Sequence, residues 1–330
     1  MSTRRMTFGQ ATLEAMQCAM DEDESVIVVG EDISWGGNFG QFRGLIDRYG
    51  ETRVIDMPIS ESLIVALSVG ASVAGLKVVA SMSFVEFTLR AMDEIVNQAS
   101  KFRYMFGGQT SVPIVLRASD GIRGSSGAQH SSSLEGLFCN IPGLKVIAPS
   151  NGNDAKGLLR AAIADPDPVV YLEHKKITGQ RSGVTDGDFV VPLGSASVVR
   201  EGSDISVVTY SNMVNHALEA AAVLVEDGVS VEVVDLRSLV PLDVDTIATS
   251  ARKTGVVLAA HESWSFGGFG GEILAQVREA LPDQSPLRTH RLGARSAPIP
   301  FSPTLEPAVV PGTADLVDEI RRIVALSPSP

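Results

Sequence analysis

The architecture of this 330-residue protein can be read outward from the stretch Arg53-Val-Ile-Asp-Met-Pro-Ile-Ser-Glu61-Ser62. The run that follows, from Leu63 to Leu76, is apolar and interrupted only by small residues. A helix that is apolar on every side is typical of a protein interior. Pro58 and Ser60 are ordinary helix-start signals. We therefore expect a buried helix that carries Glu61 in its first turn.

Glu61 is a candidate functional acid. A carboxylate inside a core needs a partner, because an unpaired buried charge is very costly. No Lys or Arg is close to it on this helix, so the partner must come from elsewhere in the fold or from a ligand. The alternative is an ordinary first-turn acid, which the helix dipole stabilises.

Short apolar runs alternate with helical patterns along the whole chain, which predicts an α/β protein. Continuously apolar strands indicate mostly parallel sheets covered on both faces, and hence three-layer αβα domains. The predicted strands are 26–30, 78–84, 113–117, 144–148, 169–172, 205–210, 231–236 and 256–260. The predicted helices include a stripe from Leu89 to Phe102 and the ranges 214–226, 243–253, 271–280 and 314–324. Periodicity fades between these two series, so we predict domains at 1–190 and 204–330 joined by a linker at 191–203. Residues 327–330 are expected to fray.

Composition excludes several classes of partner. The chain has 27 basic and 39 acidic residues and a formal charge of −12, which disfavours nucleic acid and anionic membranes. The apolar run from Leu63 is shorter than the roughly 18 residues of a membrane span. Cys18 and Cys139 form no metal-type spacing, and the N-terminus shows no secretory pattern. We therefore expect a protein of the reducing cytoplasm.

A second candidate site is the loop 119–133, which contains Gln129 and His130. It follows a predicted parallel strand, and ligands bind beyond the carboxyl ends of such strands. His130 could donate a proton or contact an anion, or it could be a solvated loop histidine. The neighbouring serines lack a G-x-S-x-G elbow, so a serine hydrolase is disfavoured.

Aromatic and glycine-rich segments have two readings each. Phe84 and Phe87, after a predicted strand, could be core residues or a stacking platform for a flat heterocycle. Gly267-Gly-Phe-Gly-Gly271 resembles a phosphate loop, but tight helix packing explains it better. His261-Glu262 suggests a structural or interface pair.

The chain resembles the β subunit of the thiamin-diphosphate-dependent component of 2-oxo acid dehydrogenase complexes, over nearly its whole length. The segments that carry the resemblance are Gly30-Glu-Asp32, Pro58-Ile-Ser-Glu61, Ala91-Met-Asp-Glu-Ile-Val-Asn97, Gly107-Gly108, Gln129-His-Ser131, Pro142-Gly-Leu-Lys-Val146, Asp154-Ala-Lys-Gly-Leu158, Pro168-Val-Val-Tyr-Leu-Glu173 and His261-Glu262. It implies a transketolase-like pyrimidine-binding domain followed by a transketolase C-terminal-like domain.

The resemblance also implies roles for particular residues. Glu61 would hydrogen-bond the aminopyrimidine of thiamin diphosphate, next to Ile59, and Phe87 would stack on the ring. His130, Gln129 and Arg90 would lie at the substrate. Main-chain oxygens of a monovalent-cation loop, which would hold potassium, would map to Ile114, Ala162, Asp165 and Asp167.

The Gly-Asp-Gly…Asn motif that binds the Mg²⁺ of thiamin diphosphate is absent from the sequence. The resemblance therefore implies an α subunit that binds Mg²⁺, in a heterotetramer of two α and two β subunits. It further implies docking to a lipoyl acyltransferase core through the peripheral-subunit-binding domain. Substrates of this family are pyruvate, branched-chain 2-oxo acids or acetoin.

Two departures from the family pattern lie near the expected pocket. Ser81 replaces an acidic residue of many relatives, and Arg90 replaces a glutamine. They leave open a transferase that passes a two-carbon unit to an aldehyde or a carrier protein. A non-catalytic binding subunit is a third hypothesis, which the presence of Glu61, Phe87 and His130 disfavours.

Overall fold

The computed structural model describes residues 2–282 and 285–325, which form two compact units. The first comprises the residues up to Asp120 and Leu137–Leu193. The second comprises Gly121–Gly136 and the residues from Gly194 onward. The candidate loop with His130 therefore belongs to the second unit, although in the sequence it lies between two segments of the first unit. The terminal segment expected to fray lies outside the described residues.

The first unit has a parallel sheet with helices. Its strands are β1 (Thr3–Thr7), β2 (Val26–Gly30), β3 (Val54–Asp56), β4 (Lys77–Phe84), β5 (Ile114–Asp120), β6 (Lys145–Ile147), β7 (Val169–His174) and β8 (Arg181–Thr185). Its helices are α1 (Phe8–Glu22), α2 (Leu45–Tyr49), α3 (Glu61–Val73), α4 (Phe102–Met105), α5 (Glu135–Cys139, which begins in the other unit) and α6 (Gly152–Ala164). The sheet order is β3-β2-β4-β5-β7-β6 with every pair parallel, while β1 and β8 form a separate antiparallel ribbon.

Apolar side chains from both sides of the sheet form the core of the first unit. Helices α1 and α6 pack together over one face, and their residues share a buried cluster with β2, β4 and β5. Thr7 begins α1 with a capping box, in which its hydroxyl accepts from the Gln10 amide. Because all the parallel strands end at one edge, the loops after β2, β4, β5 and β7 lie along the same border.

Helix α3 corrects the expectation of a helix buried on every side. It buries one face, which includes Ile64, Val65 and Val69. Leu63 and Val73 are 45 % and 43 % exposed. The continuous apolar pattern thus marks one face that packs on β4 and a second apolar face that stays exposed among residues 2–282 and 285–325.

The stripe from Leu89 to Phe102 is helical but is not one regular α-helix. A 3₁₀ segment, Val85–Ala91, is followed by a π-helical segment, Glu94–Ala99, and then by α4. Leu89 is about half-exposed, whereas Ile95 and Ala99 are buried. Periodicity therefore identifies the helical stripe and its buried residues but cannot reveal the 3₁₀ and π-helical segments within it.

The second unit repeats the α/β plan. Its strands are β9 (Ser197–Arg200), β10 (Ile205–Thr209), β11 (Val231–Asp235), β12 (Ser238–Val240), β13 (Val256–Trp264) and β14 (Arg288–Ala294). Its helices are α7 (Met213–Leu224), α8 (Val244–Thr254), α9 (Gly270–Glu279) and α10 (Thr313–Ala325). The sheet order is β14-β13-β10-β11-β9, antiparallel only at β9. Helices α7 and α10 pack together over its core. Across the described ranges, no helix is long and apolar enough to cross a bilayer.

Candidate active site

Glu61 is the first residue of α3, after Ser60 in extended conformation. Its side chain is half-buried, and among the described residues no hydrogen bond or ion pair engages its carboxylate. Ile59, two residues earlier, is 76 % exposed. The prediction of a carboxylate carried into a core is therefore wrong for this chain, because α3 starts at the rim of the unit. What remains is an acid beside apolar surface whose oxygens are available to a ligand.

A second carboxylate, which the sequence reading did not single out, lies close to Glu61. Burial raises the pKa of the Glu31 carboxyl, and the negative charges of Asp32 and Glu61 raise it further. Glu31 directly follows β2 at the carboxyl edge of the sheet. The Glu31 carboxyl therefore keeps its proton to a higher pH than an ordinary glutamate does.

Aromatic residues at the end of β4 and in the 3₁₀ segment that follows it pack against each other. The Phe84 and Phe87 rings are edge-to-face with centroids 5.5 Å apart, and Phe39 makes the same contact with Phe84. The Ser62 hydroxyl donates to the main-chain oxygen of Arg90 at 2.5 Å. This bond joins the first turn of α3 to the segment after β4. The first turn of α3, which carries Glu61, is therefore bonded to the 3₁₀ segment that carries Phe87 and Arg90.

The two departures from the family pattern differ in accessibility. Ser81 is buried in β4, and its register partner in β2 is Gly30. A Cβ placed on Gly30 would lie 2.7 Å from the Ser81 Cβ, so the two strands leave little room there. Arg90 is exposed at the end of its 3₁₀ segment. Of the two, Arg90 is the side chain that an approaching substrate or partner can meet.

Gln129 and His130 belong to the second unit and lie in a 3₁₀ turn, Ala128–His130. Gln129 is exposed and His130 is half-buried. The loop is fastened at its start, where Ile122 packs with Ala294, Ile299 and Val310. The predicted loop histidine thus sits in a segment with a defined attachment.

Three residues of the predicted cation loop, Ala162, Asp165 and Asp167, are joined by hydrogen bonds, and the two carboxylates already have cationic partners. The Lys145 ammonium lies 2.6 Å from both oxygens of Asp165, and Arg103 donates to Asp167 at 2.6 Å. The Ala162 oxygen accepts from the Asp165 amide, and the Asp167 amide donates to the Asp165 carboxylate. The predicted cation site stays a prediction.

A cavity of about 420 Å³ opens in the first unit, beside the beginning of α1 and the ends of β5 and β7. Its lining mixes polar side chains, among them Arg43 and Glu173, with the apolar side chains of Leu13 and Phe39, and it includes none of the predicted site residues. Behind it, Arg117 makes two hydrogen bonds to Glu173, at 2.8 and 3.0 Å. The cavity is therefore a mixed polar and apolar recess backed by a buried ion pair.

The glycine-rich segment before α9 serves packing, as predicted. A Cβ on Gly268 or Gly270 would approach the His261 ring to 2.5 or 2.7 Å, so only glycine fits there. Burial lowers the pKa of His261, partly opposed by the Glu135 carboxylate. His261 is fully buried and Glu262 accepts from Asn212. The structural reading of this pair is confirmed.

Two family models match this chain in the order in which the two units occur. The transketolase pyrimidine-binding domain matches residues 4–180 and the transketolase C-terminal domain matches residues 194–316. A solved structure described as a split-gene transketolase in an inactive β4 tetramer superposes with a TM-score of 0.79 at 23 % identity, covering 98 % of this chain and 99 % of that one. The fold is therefore that of transketolase-like proteins.

The more similar sequences narrow the family. The β subunit of an acetoin:2,6-dichlorophenolindophenol oxidoreductase of Cupriavidus necator is 41 % identical, with 97 % of each chain covered. The mitochondrial pyruvate dehydrogenase E1 β-2 subunit of Oryza sativa subsp. japonica is 39 % identical over 97 % of this chain and 87 % of that one. The chain belongs to this family of dehydrogenase E1 β subunits, which confirms the resemblance. Neither relative is named as a two-carbon transferase or a binding subunit.

Proposed function

We propose that this chain, together with an α subunit, binds thiamin diphosphate and catalyses decarboxylation of a 2-oxo acid or cleavage of acetoin, with transfer of the acyl group to a lipoyl carrier. The observation that carries the proposal is the Glu61 carboxylate, which has no partner among the described residues and lies beside Ile59 and the Phe87 segment in a pyrimidine-binding domain. A flat ring with a basic nitrogen fits an acid and an aromatic face in this arrangement.

Each candidate residue would have a distinct task. Glu61 would hold a proton at a carboxyl oxygen and exchange it with a ring nitrogen of the aminopyrimidine. Phe87 and Ile59 would present apolar surface to the ring and exclude water. Thiamin diphosphate, when bound, supplies a nucleophilic carbon and an electron sink for loss of carbon dioxide. His130 and Gln129 would contact substrate or the acyl acceptor, and Arg90 would shape its approach.

A partner subunit would supply the rest of the site. A diphosphate needs Mg²⁺ to neutralise its charge, and no cluster of three or more His, Cys, Asp or Glu side chains able to hold a metal occurs in the described part of the chain. The exposed apolar face of α3 also needs a cover. An α subunit that carries Mg²⁺ and packs on this face, in a tetramer of two α and two β subunits, would meet both requirements.

A monovalent cation, an acyltransferase partner and a cytoplasmic location complete the proposal. Potassium would bind main-chain oxygens around Ile114, Ala162, Asp165 and Asp167, and it would serve the fold rather than the chemistry. The net charge of −12 suits a basic peripheral-subunit-binding domain of a lipoyl acyltransferase. Cys18 and Cys139 are not joined in a disulfide in the described structure, which fits the predicted reducing cytoplasm.

Glu61→Gln tests the central role. The amide keeps the size of the side chain but cannot exchange the proton, so kcat of the enzyme reconstituted with its α subunit should fall about 100-fold or more. Thiamin diphosphate and Mg²⁺ should still bind, as measured by calorimetry. The readout is reduction of 2,6-dichlorophenolindophenol with pyruvate, a branched-chain 2-oxo acid or acetoin. Glu272→Gln, which changes a first-turn acid of α9 in the second unit, is the matched control. Full activity of Glu61→Gln would remove the assigned role.

A further inference from the structure

The loop that carries Gln129 and His130 has an unusual backbone. Gly121, Gly124 and Gly127 have positive φ angles of 73°, 100° and 75°. Ser125, which is not a glycine, has φ of 50°. The left-handed region is unfavourable for a non-glycine residue, and such a residue persists there only where surrounding contacts impose it. The contacts around Ser125 should therefore show what imposes this conformation.

One of those contacts is the carboxylate of Glu306. The Ser125 amide donates to Glu306 Oε2 at 3.0 Å, across 181 positions in the sequence. Glu306 is only 8 % exposed, and no cation pairs with it in the described ranges. It begins a 3₁₀ turn, Glu306–Ala308, that is itself held by main-chain bonds to Ser302. A desolvated carboxylate on an anchored turn is a strong acceptor, because hydrogen bonds to a charged group are roughly twice as strong as neutral ones.

The two ends of the loop are fastened separately. At the start, the Ile122 side chain is buried and its amide lies 3.4 Å from Glu262 Oε2. At the end, the Tyr210 hydroxyl donates to Glu135 Oε1 at 2.5 Å, and Glu135 is almost fully buried. Between these attachments, Glu306 contacts the loop five residues before His130. The bond to Ser125 is thus placed to decide which conformation the intervening glycines adopt.

We propose that Glu306 is a positioning residue, whose carboxylate holds Ser125 in the left-handed conformation and thereby fixes the direction in which the Gln129-His130 turn is presented. For its effect on activity, this inference rests on the proposed function of His130. A purely structural role for Glu306 in its own 3₁₀ turn would not require an acceptor directed at another segment. It would also not couple Glu306 to the mobility of residues 121–131.

The test compares Glu306→Ala, which removes the acceptor, with Glu306→Gln, whose amide oxygen can still accept from Ser125. Hydrogen–deuterium exchange of residues 121–131 is measured on the isolated chain. The transfer of acyl groups to a lipoyl domain is measured on the enzyme reconstituted with its α subunit. Glu306→Ala should speed exchange of the Ser125 amide and lower kcat by about 10–100-fold with little change in KM. Glu306→Gln should retain most of the exchange protection of the Ser125 amide and most of kcat.

Glu232→Gln is the matched control. Glu232 is a buried acid of the same unit that also accepts a main-chain amide, from Gly202, but it does not touch the loop. It should leave loop exchange and kcat unchanged. If Glu306→Ala folds and leaves loop exchange unchanged, or if Glu306→Gln is as impaired as Glu306→Ala, the inference is overturned. If Glu306→Ala does not fold, the exchange of residues 121–131 in Glu306→Gln decides the inference by itself. An inactive wild-type enzyme would refute the proposed function, whereas exchange would still decide the role of Glu306.

Discussion

Arg117 illustrates how a single buried charge is kept in place in the first unit. Its guanidinium is 2 % exposed, makes a bidentate pair with Glu173, donates to Thr12 and lies 4.9 Å above the Phe42 ring. Its Nη1 atom has no hydrogen-bond partner in the described structure. The pair thus offsets most, though not all, of the cost of burying the two charges.

Removal of one member of this pair should be much worse than removal of both. Arg117→Met leaves a buried carboxylate, and Glu173→Leu leaves a buried guanidinium, so each should lower the free energy of unfolding by about 3–5 kcal/mol. The double variant should cost less than the sum of the two single changes, since no charge then stays unpaired. Urea unfolding of the four proteins gives this coupling. Additive losses would show that the two side chains act independently.

Residue types predicted much of the candidate site but not its surroundings. Glu61, Phe87 and His130 could be proposed from the sequence because each residue type differs chemically from the residues around it. Glu306 carries no such signal, since its importance comes from Ser125, which is remote in sequence. Likewise Glu31 is notable only because folding places it near Glu61 and raises its pKa.

At the scale of elements, helix and strand patterns predicted the positions of the main elements closely. Strand β2 is observed at the predicted range, and α7 to α10 each lie within two residues of their predicted limits. Short elements such as β3 and β12 were missed, because three residues give no period to detect. The main error was the predicted burial of α3. An apolar pattern indicates that a surface avoids water, but it does not indicate which molecule covers that surface.

The junction between α1 and β2 gives a pH-dependent prediction. Asp23 accepts hydrogen bonds from the Ser25 hydroxyl and amide and pairs with Lys77 at 3.0 Å. These contacts, the Ser25 hydroxyl foremost, lower the pKa of Asp23 from 3.8 to about 2. Because the folded pKa is the lower one, the stabilisation is complete above pH 3.8 and is lost as the pH falls towards 2.

Asp23→Asn should therefore destabilise the protein near neutral pH and much less in acid. The side chain is about one-third exposed, so solvent screening limits the expected penalty to about 0.5–1 kcal/mol. Urea unfolding at pH 6 and pH 3 measures it. An equal penalty at both pH values would show that the contacts of Asp23 do not depend on its charge.

At the scale of the whole molecule, the exposed apolar residues of the first unit form the feature that most needs a partner. Besides α3, they include Tyr104, Met105 and Phe106 around the end of α4, which are 89 %, 67 % and 51 % exposed. Large exposed apolar patches are typical of interaction surfaces. This agrees with a protein that works as one subunit of an assembly.

A charge on α3 should disrupt assembly without unfolding the chain. Leu63→Lys places an ammonium on the exposed apolar face, so binding to the α subunit should weaken by at least about tenfold. Val223→Lys is the control, because Val223 on α7 of the second unit has the same exposure of 45 %. Sedimentation velocity of mixtures measures assembly, and circular dichroism verifies folding. If Leu63→Lys assembles as well as the control, the α3 face is not part of the interface.

The attachment of the 121–136 segment to the second unit has a consequence for synthesis of the protein. The segment leaves the ribosome well before Tyr210, Glu262 and Glu306 exist, and the Glu306 acceptor follows Ser125 by 181 residues. At about 5–20 residues per second, that delay is roughly 10–40 s. For this time the glycine-rich segment lacks the Glu306 acceptor, and for the first part of it the segment also lacks Tyr210 and Glu262, while the strands on either side of it can already pair. A chaperone or the ribosome surface would encounter this part of the chain unprotected during every round of translation.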